Sequence, residues 1–397
     1  KYKGVIYYFV DNEYYFNRQG LYGYYDDAER FAFLSRAALE ILPHVGFKPD
    51  IIHCNDWQTA LIPVYYDLFY SNNDYYKGIK TVFTIHNIEY QGKYGMDTLE
   101  NVIGIPYDKK SLVEFDNCVN LMKGAIECSN RVTTVSNTYA QEIMDPWYSY
   151  GLHPILRERA YKVSGILNGI DTENYNPKTD SEIYANYDLN ELQNKAINKL
   201  ELQKRLGLNQ DESVPMIGMV TRMVSHKGID LVRTVLDQLM YEENVQFVIL
   251  GSGEFEYEAY FKMMQERYNG RLCACFGFVP ELSRKIYAAS DMFLMPSKSE
   301  PCGLSQMIAL RYGSIPIVRE TGGLKDTVFD SGNGEGNGFT FKNYDAFDML
   351  NSIKRAIKGY ENREGFNILV KRAMSYDNSW GRSANEYIKL YKSLINE

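Results

Sequence analysis

The chain has 397 residues, 45% hydrophobic and 24% charged, and its 43 Lys and Arg against 51 Asp and Glu give a net charge of −8. This length exceeds the ~250–300 residues at which a single core stops growing, so two domains are the default. The acidic balance excludes a whole-protein positive field for nucleic acid and leaves room only for a local basic cleft suited to a phosphorylated small molecule.

In chain order, Val5 to Val10 reads as a strand, and Ala28 to Leu42 as an apolar helix ended by Pro43. A buried strand from Pro49 to Cys54 leads into Asn55-Asp56-Trp57 and a helix through Leu68. Lys80 to Ile85 is the next strand and ends at His86-Asn87; Leu112 to Cys128 reads as helical, and Arg131 to Val135 as a strand. Residues 173–209 are polar and rich in Asn, Glu and Lys. Strands then recur at Met216–Val220, Val245–Leu250, Leu272–Phe278, Met292–Met295 and Ile315–Val318, and Asp330 to Gly338 reads as a flexible loop. Strands alternating with helices in two sets predict an α/β protein with two parallel sheets.

The six cysteines are dispersed, with no C-x-x-C pair and no neighbouring His cluster, so neither a disulfide framework nor a zinc site is expected. No run approaches the ~18 apolar residues of a spanning helix, and the first residues lack a signal-peptide h-region. The expectation is a reduced, cytoplasmic protein with no membrane or nucleic-acid partner. The 34 Tyr and 19 Phe fit sugar-stacking platforms and ordinary half-buried sheet positions equally.

In open α/β sheets, ligands bind beyond the carboxyl ends of strands, and the polar clusters of this chain fall there. Arg222 and Lys227 share one strand-to-helix loop, where a forked donor and a point charge suit a diphosphate, although two solvated surface cations would look the same. Glu300-Pro301-Cys302-Gly303-Leu304 and Thr321-Gly322-Gly323 open predicted helices, whose unpaired N–H groups attract anions. His86 reads as an acid or base, a sugar ligand or a strand-end cap, and Asp56 beside Trp57 reads equally as a helix N-cap. No P-loop and no G-x-G-x-x-G after a first strand is present.

Several long strings together resemble the bacterial glycogen synthase and plant starch synthase family: His53-Cys54-Asn55-Asp56-Trp57-Gln58, Thr84 to Gly92, Leu167-Asn168-Gly169-Ile170-Asp171, Arg222 to Gly228, Pro296 to Gln306 and Thr321 to Val328. The resemblance implies two facing Rossmann-like domains, the GT-B fold, and metal- and cofactor-free, configuration-retaining transfer of glucose from ADP-glucose to an α-1,4-glucan. It implies domains over residues 1–172 and 173–378, with a helix over 379–397 crossing back to the first. By position, Arg222 and Lys227 would bind the diphosphate, Glu300 the donor-sugar hydroxyls, and Cys302, Gly303, Leu304, Thr321, Gly322 and Gly323 the sugar and phosphates. His86 and Asn168 would place the transferred glucose, and Asp56 and Trp57 would lie on the first domain's side of the cleft. Phe278 would lie near the nucleobase, or else is strand-end core. The family's opening Lys-x-Gly-Gly-Leu loop has no counterpart here, so the first domain is expected to lack at least one or two βα units, on the order of 30–60 residues. The competing expectations are an inactive fragment, a non-catalytic carbohydrate- or nucleotide-binding protein, and a UDP-glucose donor.

Overall fold

A computed structural model describes residues 2–396. The chain divides into two compact units, one running through Ile166 and resuming at Glu386, the other spanning Leu167–Asn385. No helix of the described residues is long and apolar enough to cross a membrane.

The first unit holds β1 (Ile51–Asn55), β2 (Lys80–Ile85), the short β3 (Lys93–Tyr94), β4 (Glu114–Phe115) and β5 (Cys118–Asn120), then β6 (Arg131–Thr134) and β7 (Val163–Gly165). A parallel sheet is built in the order β1-β2-β6-β7, and β3, β5 and β4 form a small antiparallel one. β2 is a central strand and is buried along almost its whole length, which explains its unbroken apolar and Thr sequence. Its core joins Phe83 and Ile85 to Phe31 and Leu39 of the helix Asp27–Glu40 and to Leu121, Met122 and Ala125 of the helix Leu121–Cys128.

Three expectations fail in this unit. Residues 5–10 form no strand: Val5, Ile6, Tyr7, Tyr8 and Phe9 are exposed, and only a Tyr2–Val5 bridge forms nearby. A β-prone run becomes a strand only where an edge receives its backbone groups. The helix expected from Leu112 begins only at Leu121, because β4 and β5 form a hairpin first. Its turn is Asp116-Asn117, both with positive φ (53° and 57°), the two-residue chemistry that matches strand twist. After Trp57 the chain makes a 3-10 turn, the helix Leu61–Tyr65 and a π turn over Tyr66–Tyr70 instead of one continuous helix.

The second unit holds β8 (Met216–Val220), β9 (Gln246–Gly251), β10 (Leu272–Phe276), β11 (Met292–Met295), β12 (Ile315–Arg319) and β13 (Phe339–Phe341). All are parallel, in the order β10-β9-β8-β11-β12-β13. The chain therefore winds outward from β8 in one direction and from β11 in the other, the doubly wound arrangement whose switch point lies between those two strands. The polar stretch 173–209 contains the helix Asn194–Leu206, whose buried residues Asn198, Lys199 and Gln203 disguise its apolar period. The helix Trp380–Asn396 starts within the second unit and ends in the first, where the Tyr391 hydroxyl meets His53 Nδ1 at 2.6 Å.

Candidate active site

The loops leaving β8 and β11 meet at the switch point. After β8, Gly228 closes the loop in the left-handed region (φ 78°), and a Cβ there would sit 2.2 Å from the Pro296 carbonyl oxygen. Glycine is thus required for this loop to lie against the one after β11. The Lys298 N–H donates to the His226 carbonyl at 2.9 Å and fixes the two loops together.

This contact places Lys227 Nζ 3.0 and 2.7 Å from the two carboxylate oxygens of Glu300, and Ser297 Oγ donates to the same carboxylate at 2.8 Å. Glu300 is 8% exposed, so its charge is held by a partner and not by water. Arg222 is exposed, and its Nη2 lies 3.2 Å from His226 Nε2. Arg222, Lys227, Ser297, Glu300, Leu304 and Ser305 line a cavity of about 210 Å³. A neighbouring hollow of about 250 Å³ shares Val220, Thr221 and Arg222 and adds Ser252, Gly277, Phe278 and Pro280. Phe278 is 94% exposed, which rules out strand-end core.

Among the described residues the backbone N–H groups of Cys302, Gly303 and Leu304 have no hydrogen-bond acceptor, so three donors stand open beside Glu300. The Thr321-Gly322-Gly323 turn behaves differently. The Gly323 N–H already donates to the Glu300 carbonyl at 3.0 Å, and a Cβ on Gly323 would fall 2.0 Å from the Cys302 carbonyl oxygen. These glycines let one loop pack on another, and Thr321, Gly322 and Gly323 are buried. Asn168 donates its backbone N–H to the Cys302 sulfur, while its own Oδ1 is buried without a hydrogen-bond partner. Burial pushes the Cys302 thiol up to about 12, so it is inert packing.

In the first unit, the ends of the paired strands β1 and β2 carry a second cluster. Asp56 Oδ1 accepts the His86 N–H at 2.8 Å, and His86 Nε2 lies 2.9 Å from Asn55 Oδ1. Asp56 makes no side-chain helix cap, so the capping alternative fails. Its backbone, at φ 59° and ψ 178°, occupies a region normally left to glycine, at a cost on the order of 1–3 kcal/mol. Burial raises the Asp56 carboxyl, against the His86 charge and the N–H groups of His86 and Asn87. Trp57 is 8% exposed and stacks edge-on to Phe31 at 4.9 Å, which makes it a core ring instead of an open sugar platform.

His53 was not singled out by the sequence as a functional group. Its Nε2 lies 2.6 Å from Thr84 Oγ1, which lies 2.6 Å from Thr133 Oγ1, so a polar chain crosses β1, β2 and β6. Burial first, then the His86 charge, lowers His53 to about 4. A further cavity of the second unit, about 700 Å³, lies apart from these clusters. Two of its lysines are committed: Lys195 to the carbonyls of Ala288 and Tyr312 at 2.7 and 3.2 Å, Lys199 to Asp291 at 2.6 Å. Among the described residues no three His, Cys, Asp or Glu side chains gather as a metal site would need.

Residues 1–158 match the family model described as the starch synthase catalytic domain, and residues 201–369 match that of glycosyl transferases group 1. A glycogen synthase of Clostridium botulinum is 51% identical over 399 residues, covering 99% of this chain and 83% of its own length. One from Bacillus cereus is 50% identical with the same coverage of both chains. This chain belongs to the glycogen and starch synthase family. It is a glycosyltransferase of the GT-B fold. The solved catalytic domain of starch synthase IV from Arabidopsis thaliana, bound to ADP and acarbose, superimposes with a TM-score of 0.87 at 40% identity, over 96% of this chain and 80% of that one.

Proposed function

We propose that the chain transfers glucose from ADP-glucose to the non-reducing end of an α-1,4-glucan with retention of configuration, and that the β8–β11 switch point holds the donor. The ADP in the Arabidopsis structure supports this choice of nucleotide over UDP. The observation that carries the reading is the Lys227–Glu300 pair beside three unoccupied amides, those of Cys302, Gly303 and Leu304. Arg222 and Lys227 would face the diphosphate and stabilise it as it leaves, when its charge is greatest. The nucleobase would occupy the hollow rimmed by Phe278, which adjoins the cavity through Arg222.

Glu300 is the only carboxylate among the residues lining the 210 Å³ cavity, and both its oxygens are bound to Lys227. It is therefore a poor nucleophile and a good anchor, fixing Lys227 and accepting donor-sugar hydroxyls. This arrangement favours a step in which the departing diphosphate assists attack from its own side over one that forms a glucosyl-enzyme. Asn168 Oδ1, buried without a partner, would accept a sugar hydroxyl, and Thr321 to Gly323 would support the donor loop from behind. In the first unit, Asp56 would hold the β2 end so that His86 presents its ring to the sugar.

Calorimetric titration with ADP tests the donor assignment. Lys227→Ala and Arg222→Ala are each expected to weaken ADP at least tenfold, and unchanged affinity in both would refute it. ADP and maltooligosaccharide binding without any turnover would favour a non-catalytic binding protein.

A further inference from the structure

Two open amides of the donor loop are turned outward by a side chain that the roles above do not use. Gln306, the second residue of the helix Ser305–Arg311, is fully buried. Its Nε2 donates to the Cys302 carbonyl at 3.0 Å, to the Gly303 carbonyl at 2.9 Å and to Thr327 Oγ1 at 3.1 Å. In a trans peptide the N–H points away from the C=O of the same unit. Both units here are trans, so drawing the Cys302 and Gly303 carbonyls inward onto Gln306 sends the N–H groups of Gly303 and Leu304 the other way. Among the described residues these are two of the three amides without an acceptor, and Leu304 lines the 210 Å³ cavity.

The arrangement requires an amide. With its oxygen and nitrogen exchanged, Gln306 would set Oε1 against two carbonyl oxygens, so the donors point this way. Oε1 is left buried with no hydrogen-bond partner, a penalty that an apolar side chain of the same size would avoid. Gly303 makes room for it: φ is 69°, and a Cβ there would fall 2.4 Å from Gln306 Oε1. On the far side, buried Thr327 Oγ1 donates to the Gly323 carbonyl at 2.6 Å, while the Gly323 N–H donates to the Glu300 carbonyl. One network therefore fixes the outward amides and the backbone of Glu300 together.

We propose that Gln306 is a positioning residue for the donor, holding the Cys302–Gly303 and Gly303–Leu304 peptide units so that their N–H groups face the diphosphate before it binds. The proposal rests on the switch point holding the donor. Donors fixed in advance need no reorganisation when the substrate arrives, and they act most strongly as the leaving diphosphate gains charge.

Calorimetry on the full chain compares ADP with adenosine, which offers the same base and ribose without phosphates. Gln306→Met, similar in length and without donors, is expected to weaken ADP at least tenfold and adenosine by less than twofold. Gln306→Glu keeps the shape and has at most one proton to give, so it should also weaken ADP selectively, and it carries the test if Gln306→Met fails to fold. NMR of the glycine-labelled chain reads the amide itself: the Gly303 N–H should shift on adding ADP in wild type and not in the variant. Equal ADP affinity in wild type and the folded variant overturns the role of Gln306. So does an equal weakening of ADP and adenosine, which a merely structural side chain would produce. Failure of the wild type to bind ADP would instead sink the donor assignment beneath it.

Discussion

Replacing Glu300 by glutamine separates charge from shape at the proposed donor site. The side chain keeps its volume and one carbonyl oxygen, but Lys227, only 19% exposed, loses its counter-ion at 2.7 Å. At an effective dielectric constant of about 20, the gross attraction at that distance is roughly 6 kcal/mol. Desolvation offsets much of it, and breaking a fully buried pair typically costs about 3–5 kcal/mol. Because Lys227 retains some water, a loss of about 2–3 kcal/mol is expected. In a unit of this size, that lowers the melting temperature by roughly 5–10 °C. Calorimetry and urea denaturation should be run without and with saturating ADP. The proposed diphosphate gives Lys227 a second anion, so ADP should narrow the gap between Glu300→Gln and wild type. Lys227→Met/Glu300→Gln should recover stability but not activity. An unshifted melting temperature, or a gap that ADP leaves unchanged, would refute the reasoning.

Four other outcomes follow from the geometry. His53 is held at about 4 against an ordinary 6.5, so the unfolded chain takes the proton first as pH falls. Its contribution is complete above about pH 6.5 and is lost between there and pH 4, at most about 3 kcal/mol, and denaturation of His53→Gln should show a flatter pH dependence over that window. Gly228→Ala must accommodate a positive φ and a Cβ 2.2 Å from the Pro296 oxygen, so a loss of about 2–4 kcal/mol with collapse of ADP binding is expected. Asp56→Ala should be less stable than Asp56→Gly by about 1–2 kcal/mol in urea, since both lack the carboxylate and only glycine relaxes the φ of 59°. Arg222→Lys keeps the charge but loses the fork, so it should raise KM for ADP-glucose at least fivefold in steady-state assays.

The second unit was largely legible from sequence because each central strand is an apolar run ending in a loop with a chemical signature. Arg222, Lys227 and Glu300 were found that way, and the sheet order explains why they meet. What sequence missed depended on pairing or on burial of polar groups. Val5 to Phe9 has strand composition, but a strand is a property of two chains. Leu112 to Cys128 reads as one helical run until Asp116-Asn117 is read as a hairpin turn, a signal that was present. Phe278, left between a nucleobase contact and strand-end core, stands in solvent, while Trp57, expected on the cleft side, is buried against Phe31, because an aromatic residue at a strand end carries no mark of which way it faces. His53 looked like one polar residue in an apolar strand, and only the Thr84 and Tyr391 hydroxyls gave it a role.

Transfer from ADP-glucose to glycogen is the central reaction. Incubation of the chain with labelled ADP-glucose and glycogen, followed by digestion of the polymer and NMR of the new linkages, is predicted to show α-1,4-linked label, slower transfer from UDP-glucose, and at least a hundredfold loss in Lys227→Ala. No transfer from ADP-glucose, or transfer indifferent to Lys227, would contradict it.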